Sequence, residues 1–118
     1  MINELKALLT QYVRDASSIE IWVDEGTVDQ EWPTLYLKEL IVINITEMKR
    51  PYATILGAIR HWYENHHGGL SDNELAKGMS FDVSILKEND AFMQVRLTVR
   101  SRYIMSEEGG LIDAHQCR

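Results

Sequence analysis

The stretch Leu35-Tyr36-Leu37-Lys38-Glu39-Leu40-Ile41-Val42-Ile43-Asn44-Ile45-Thr46 decides the fold, because its apolar residues recur with a period of two. Leu35, Leu37, Ile41, Ile43 and Ile45 fall on one side, and Tyr36, Lys38, Leu40, Val42, Asn44 and Thr46 on the other. Successive strand side chains point to opposite faces, so the stretch predicts a strand with one strongly apolar face and one mixed face. An apolar face of that length needs a second layer to bury it.

Working outward, the partners of this strand follow. Upstream, Ile19, Ile21 and Val23 alternate with Glu20, Trp22 and Asp24, which predicts a short half-buried strand. Asp24 to Pro33 is polar, with one Gly and one Pro, and reads as a loop. Ahead of it, Ile2, Leu5, Leu8, Leu9, Tyr12 and Val13 recur at three and four residues, the spacing of one helix face, with Asn3 as its cap. Downstream, Pro51 suits the first turn of a second helix whose core side is Tyr52, Ile55, Leu56, Ile59, Trp62 and Tyr63, with Gly68-Gly69 as its stop. Met79, Phe81, Val83 and Ile85 give a third strand, and Glu88-Asn89-Asp90 a turn. Ala91, Met93, Val95, Leu97, Val99 and Tyr103 set against Gln94, Arg96, Thr98, Arg100 and Arg102 give a fourth.

The order α-β-β-α-β-β predicts an α+β fold with two helices packed on one face of a four-stranded, mainly antiparallel sheet. Leu8, Ile21, Ile43, Ile59, Phe81, Val83, Leu97 and Val99 are expected to share its core. Residues 1–106 are expected to form a single domain and residues 107–118 a flexible tail, since periodicity ends after Ser106.

Composition narrows the function classes. The chain has 118 residues, 45% hydrophobic and 25% charged, as in an ordinary globular domain. Its single cysteine, Cys117, precludes an internal disulfide and a cysteine zinc cage, and fits a reducing cytoplasm. No apolar run approaches the roughly 18 residues of a membrane span, and Met1-Ile2-Asn3-Glu4 lacks the basic start of a signal peptide. A product confined to the cytosol, unless carried out in something larger, is the expectation.

A formal charge of −6 argues against general nucleic-acid binding. Between Arg14 and Lys38 stand Asp15, Glu20, Asp24, Glu25, Asp29 and Glu31 with no Lys or Arg, whereas Arg96, Arg100 and Arg102 cluster near the other end. Such asymmetry is either a pair of solvated faces or a pair of complementary patches that meet between subunits. Trp22 and Trp32 lie among the acids, where an interface role is open. The candidate subunit interface is therefore Trp22, Asp24, Glu25, Asp29, Glu31, Trp32, Arg96, Arg100 and Arg102.

Catalytic patterns are missing. His61 and His66 are five apart and fall on different helix faces, and the HExxH pairing is absent. Asp24, Glu25 and Glu39 offer carboxylates for a metal-dependent nuclease, but Asp24 and Glu25 are adjacent and diverge in a strand. Gly68-Gly69 follows a helix and opens no phosphate loop. No enzyme, cofactor or metal is expected.

A collinear set of pieces remains. It runs Val23-Asp24-Glu25-Gly26, then Leu40-Ile41-Val42-Ile43-Asn44-Ile45-Thr46, then Ile59-x-x-Trp62-x-x-x-His66-His67, Gly78-x-x-Phe81 and Ile85-Leu86-x-x-Asn89, with a last strand ending near Met105. In order and spacing this resembles the tail completion protein R family of contractile-tailed, temperate bacteriophages and their prophages, over roughly Ile19 to Ser106. The short N-terminal helix lead and the tail after Ser106 depart from that pattern. The resemblance implies a virion-assembly protein that caps the finished tail and helps join it to the DNA-filled head. It implies a homo-oligomer, since related tail terminators act as hexameric rings, with tail-tube and head–tail connector proteins as partners. It places the protein in the host cytoplasm during assembly and then in the virion tail, and carries over no catalytic residue. The rival reading is a small ferredoxin-like binding or regulatory domain that oligomerises through its sheet.

Overall fold

A computed structural model describes residues 2–66, 71–87, 90–107 and 111–115. Helix α1 spans Ile2–Thr10, strand β1 Ile19–Glu31, β2 Thr34–Ile45, helix α2 Tyr52–His66, a short α3 Asp72–Lys77, β3 Met79–Lys87, β4 Asp90–Met105 and β5 Leu111–His115. The strands form an antiparallel sheet of order β1-β2-β4-β3, with β5 added along the far end of β4. This is the expected α+β architecture, with α1 lying over β1 and α2 over β4.

The register explains the core. Ile21, Ile43, Val95 and Phe81 form one row across the four strands, and Ile19, Ile45, Met93 and Val83 the next. Directly opposed residues share a face. The alternation read from the sequence therefore puts all eight on the helix side. Ile41, Ile43, Ile45, Met93, Val95, Leu97 and Val99 are fully buried there against Leu5 and Leu9 of α1 and Ile55, Ile59 and Tyr63 of α2. Of the expected core, Ile43, Ile59, Leu97 and Val99 are buried, and Leu8, Ile21 and Val83 pack partly buried against them.

Phe81 is a correction. It is 47% exposed, because β3 is the outer strand and α2 covers β4 beside it. Its ring meets Tyr52 at the start of α2, with centroids 6.1 Å apart; Tyr52, also expected inside, is 42% exposed.

Three boundaries differ from the sequence reading. Residues 24–31 are strand, not loop: β1 and β2 pair from Ile19↔Ile45 to Glu31↔Thr34 and turn through Trp32-Pro33. These residues are exposed on both faces, so burial imposes no alternation there; the backbone ladder alone makes the strand. Helix α1 begins at Ile2, so Asn3 lies inside it, and the expected stop at Gly68-Gly69 lies outside the described residues. Leu111–His115, within the segment read as a tail, pairs with β4 through Arg102↔His115 and Ile104↔Asp113.

One polar group ties the helices to the sheet. The Tyr63 hydroxyl, carried into the core by α2, donates to the Thr98 carbonyl, while Thr98 N–H donates to the Gly78 carbonyl at 2.8 Å. Burial pushes the Tyr63 hydroxyl up to about 12, eased by the nearby Arg60 guanidinium and reinforced by Glu74. The folded state thus keeps a proton that the unfolded chain loses from its ordinary value near 10 upward. Stability contributed by this group is full below about pH 10 and falls as pH rises towards 12, by about 2 kcal/mol in all. Thermal melts between pH 9 and 12 should show that fall in wild type and a shallower one in Tyr63→Phe; equal slopes would refute it.

Candidate functional site

The sheet face turned away from the helices carries the candidate residues, and a single irregularity in β1 puts them together. Val23 pairs with Ile41 but Glu25 with Leu40, so Asp24 is an extra residue, a β-bulge. An inserted residue resets the alternation. Beyond it Glu25, Thr27, Asp29 and Glu31 lie on the same face as Glu20 and Trp22, while Gly26, Val28 and Gln30 turn to the helix side. Without the bulge, Glu25, Asp29 and Glu31 would point the other way. The resulting rows read Trp22–Val42–Arg96, Glu25–Leu40–Thr98, Thr27–Lys38–Arg100 and Asp29–Tyr36–Arg102.

At the end nearer the helices this face is internally satisfied. Arg96 donates to Asp82 at 2.8 Å and to Gln94 at 2.7 Å, and Gln94 donates to Asn44 at 2.9 Å. Val42 is buried although no helix lies over it, between Trp22 and Arg96 in its row. Trp22 itself is 37% exposed.

Towards the hairpin tip the charges are less neutralised. Arg100 lies over the Tyr36 ring, 4.2 Å from its centroid, a cation–π contact. Arg102 stands opposite Tyr36, and its Nε is buried without a partner among the described residues. Among the described residues neither arginine has a carboxylate within ion-pair distance, and Glu25, Asp29 and Glu31 have no Lys, Arg or His within it. Lys38, between the two rows, is drawn aside to Glu74 of α3 at 3.2 Å, and that contact, helped by the Ser71 cap, holds the Glu74 carboxyl below its usual range. Trp32 marks the tip, 57% exposed, with the Pro33 carbonyl accepting from Met105 N–H at 2.8 Å.

The structure thus brings Trp22, Glu25, Asp29, Glu31, Arg96, Arg100 and Arg102 onto one face, with Asp24 in the bulge and Trp32 at the end. It takes Arg96 out of the unpaired set. The signal for that was in the sequence, in Asp82 on the strand beside it.

Among the described residues the carboxylates and histidines weighed for catalysis do not converge. Glu25 and Glu39 lie on opposite faces, since Glu39 pairs with Gly26. His66 accepts its place from α2, its ring stacked on Trp62 at 4.6 Å and its Nδ1 2.8 Å from the Trp62 carbonyl. His61 is exposed on another side of the helix, and among the described residues no three His, Cys, Asp or Glu side chains group as metal ligands. No helix among the described residues is long and apolar enough to cross a membrane.

A family model, described as P2 phage tail completion protein R (GpR), matches residues 1–117. The match takes in α1 and β5, beyond the span from Ile19 to Ser106 over which the sequence pieces align. No curated protein and no solved structure matches the chain.

Proposed function

The chain belongs to the P2 phage tail completion protein R family and is a structural part of a phage tail, and from that premise we propose that it caps the tail tube and helps join tail to head. The observation that carries this reading is the family match over residues 1–117. Among the described residues no group of metal-ligating side chains supports a catalytic role, and the rival reading of a small regulatory domain has no family match behind it.

Capping a tube that has rotational symmetry calls for several copies in a ring. Such a ring needs two unlike surfaces on each copy. The face described above carries both signs of charge side by side, an acidic row of Glu25, Asp29 and Glu31 on β1 and Arg100 and Arg102 on β4, with no ion pair for either among the described residues. It serves as a docking face for a neighbouring copy or a tail protein, beside whatever two surfaces close the ring. Like charges set close on one strand repel, and an opposite charge from another copy or from a tail protein relieves this. Trp22, with Asp24 in the bulge, and Trp32 flank the acids as apolar anchors. Arg96, already bound to Asp82, contributes to the shape of the face.

The test is deletion of the gene from a phage or prophage that encodes this chain, followed by complementation. Electron micrographs of the deletion should show headless tails with irregular ends, and plaque formation should be lost. Wild type should restore both, and Arg100→Glu/Arg102→Glu should not. Normal virions from the deletion would sink the capping and joining role. A fully active double variant would remove the arginine pair from the interface.

A further inference from the structure

We infer that copies of this chain join edge to edge, the free edge of β1 in one copy adding to the free edge of β3 in the next. The inference rests on the reading of the chain as a ring-forming tail part and specifies the contact. Four observations support it.

The large exposed apolar residues are not scattered. Among the described residues they are Trp22, Val23, Val28, Trp32, Tyr52 and Phe81. Trp22, Val23 and Val28 lie on β1, and Trp32 at its end; Phe81 lies on β3, with Tyr52 beside it. β1 and β3 are the two outer strands of the sheet, and among the described residues neither pairs on its outer side. An uncovered edge offers a row of backbone donors and acceptors to another strand.

Strand direction fits. β1 is antiparallel to β2, β2 to β4 and β4 to β3, so β1 and β4 run one way and β2 and β3 the other. A second copy in the same orientation therefore brings its β1 antiparallel to β3, continuing the alternation without reversing the molecule. Such a contact is head-to-tail and can repeat until it closes.

Shape fits as well. A groove runs along the β1 edge between α1 and the strand, lined by Ile2, Asn3 and Lys6 on one side and Ile19–Trp22 on the other. On β3, Phe81 and Tyr52 stand up on the same, helix-bearing side of the sheet. The groove at one edge and the aromatic pair at the other are thus on matching sides.

Charge selects between pairings. β1 carries Glu20, Asp24, Glu25, Asp29 and Glu31 and no base, so two β1 edges repel. On the face away from the helices, where Glu20, Glu25, Asp29 and Glu31 lie, β3 presents Ser80 and Ser84, and its Asp82 is paired with Arg96. The acidic edge meets least opposition at β3.

The test blocks each edge separately with an exposed charge, Val23→Lys on β1 and Phe81→Lys on β3. Folding is checked by circular dichroism and mass is read by light scattering across concentration. Wild type should form multimers, and each variant alone should be a monomer. A mixture of the two should give 1:1 heterodimers, because each retains the edge that the other has lost. Homodimers of either variant, multimers unaffected by both, or a monomeric wild type would overturn the inference. Amide exchange of wild type provides a check that needs no variant: protection should rise with concentration in β1 and β3, and unchanged exchange there would also overturn it. If wild type is monomeric yet rescues the deletion phage, the edge contact fails while the tail role stands. A deletion phage with normal tails is the opposite result and removes the tail role itself.

Discussion

Gly78→Ala is expected to destabilise the protein by about 3 kcal/mol, at the upper end of overpacking effects. The backbone is not the reason, since Gly78 has φ −81° and ψ −4°, a conformation any residue adopts. Space is the reason: an added Cβ would run into the Tyr63 hydroxyl and lie 2.9 Å from the Glu74 carbonyl oxygen. Neither obstacle moves freely. Tyr63 is buried and donates to the Thr98 carbonyl, and the Glu74 carbonyl belongs to the backbone of α3. Accommodating alanine means shifting the α3–β3 junction or giving up a buried hydrogen bond, itself worth about 1 kcal/mol. Urea unfolding of Gly78→Ala, Tyr63→Phe and the double variant separates these. Removing the hydroxyl should recover about 1 kcal/mol of the alanine penalty, a non-additivity expected of residues in contact. A Gly78→Ala protein as stable as wild type would show that the junction yields.

Ile43→Ala should be the most costly truncation in the sheet, about 4 kcal/mol, whereas Phe81→Ala should cost about 1 kcal/mol. Both residues stand in the same row on the same face. Ile43 is on a central strand, fully buried under the helices, so its removal leaves a cavity that neighbours on both sides cannot fill. Phe81 is half in water already. Against a typical domain stability of about 5–15 kcal/mol, the first loss threatens folding and the second does not. Equal urea midpoints for the two variants would contradict the depth assigned to each.

That pair of residues also shows what the sequence conveys. Alternation tells which face a side chain takes, and it did so correctly for Ile43, Val83, Leu97 and Phe81. It carries no information on how far the covering layer extends, and so Phe81 and Tyr52 read as core. The strand order and the long hairpin were hidden for different reasons. Residues 24–31 lack periodic burial, and the bulge at Asp24 breaks what alternation there is. The candidate site shared that fate. Its acids, arginines and tryptophans were visible as charge blocks and misplaced aromatics, but their meeting on one face depends on the bulge. Asp82 was visible in the sequence as a carboxylate on a neighbouring strand, but its choice of Arg96 over the other arginines needed the register Phe81↔Val95, which the folded sheet supplies.

The width of the sheet has a metric consequence. Four main strands at a spacing of about 4.8 Å give each copy an arc of about 19 Å. In a ring closed through its strand edges, every added copy widens the circle by about 6 Å in diameter, more as the strands tilt. Circumference thus comes in fixed increments, and a diameter measured on end-on particles counts the subunits.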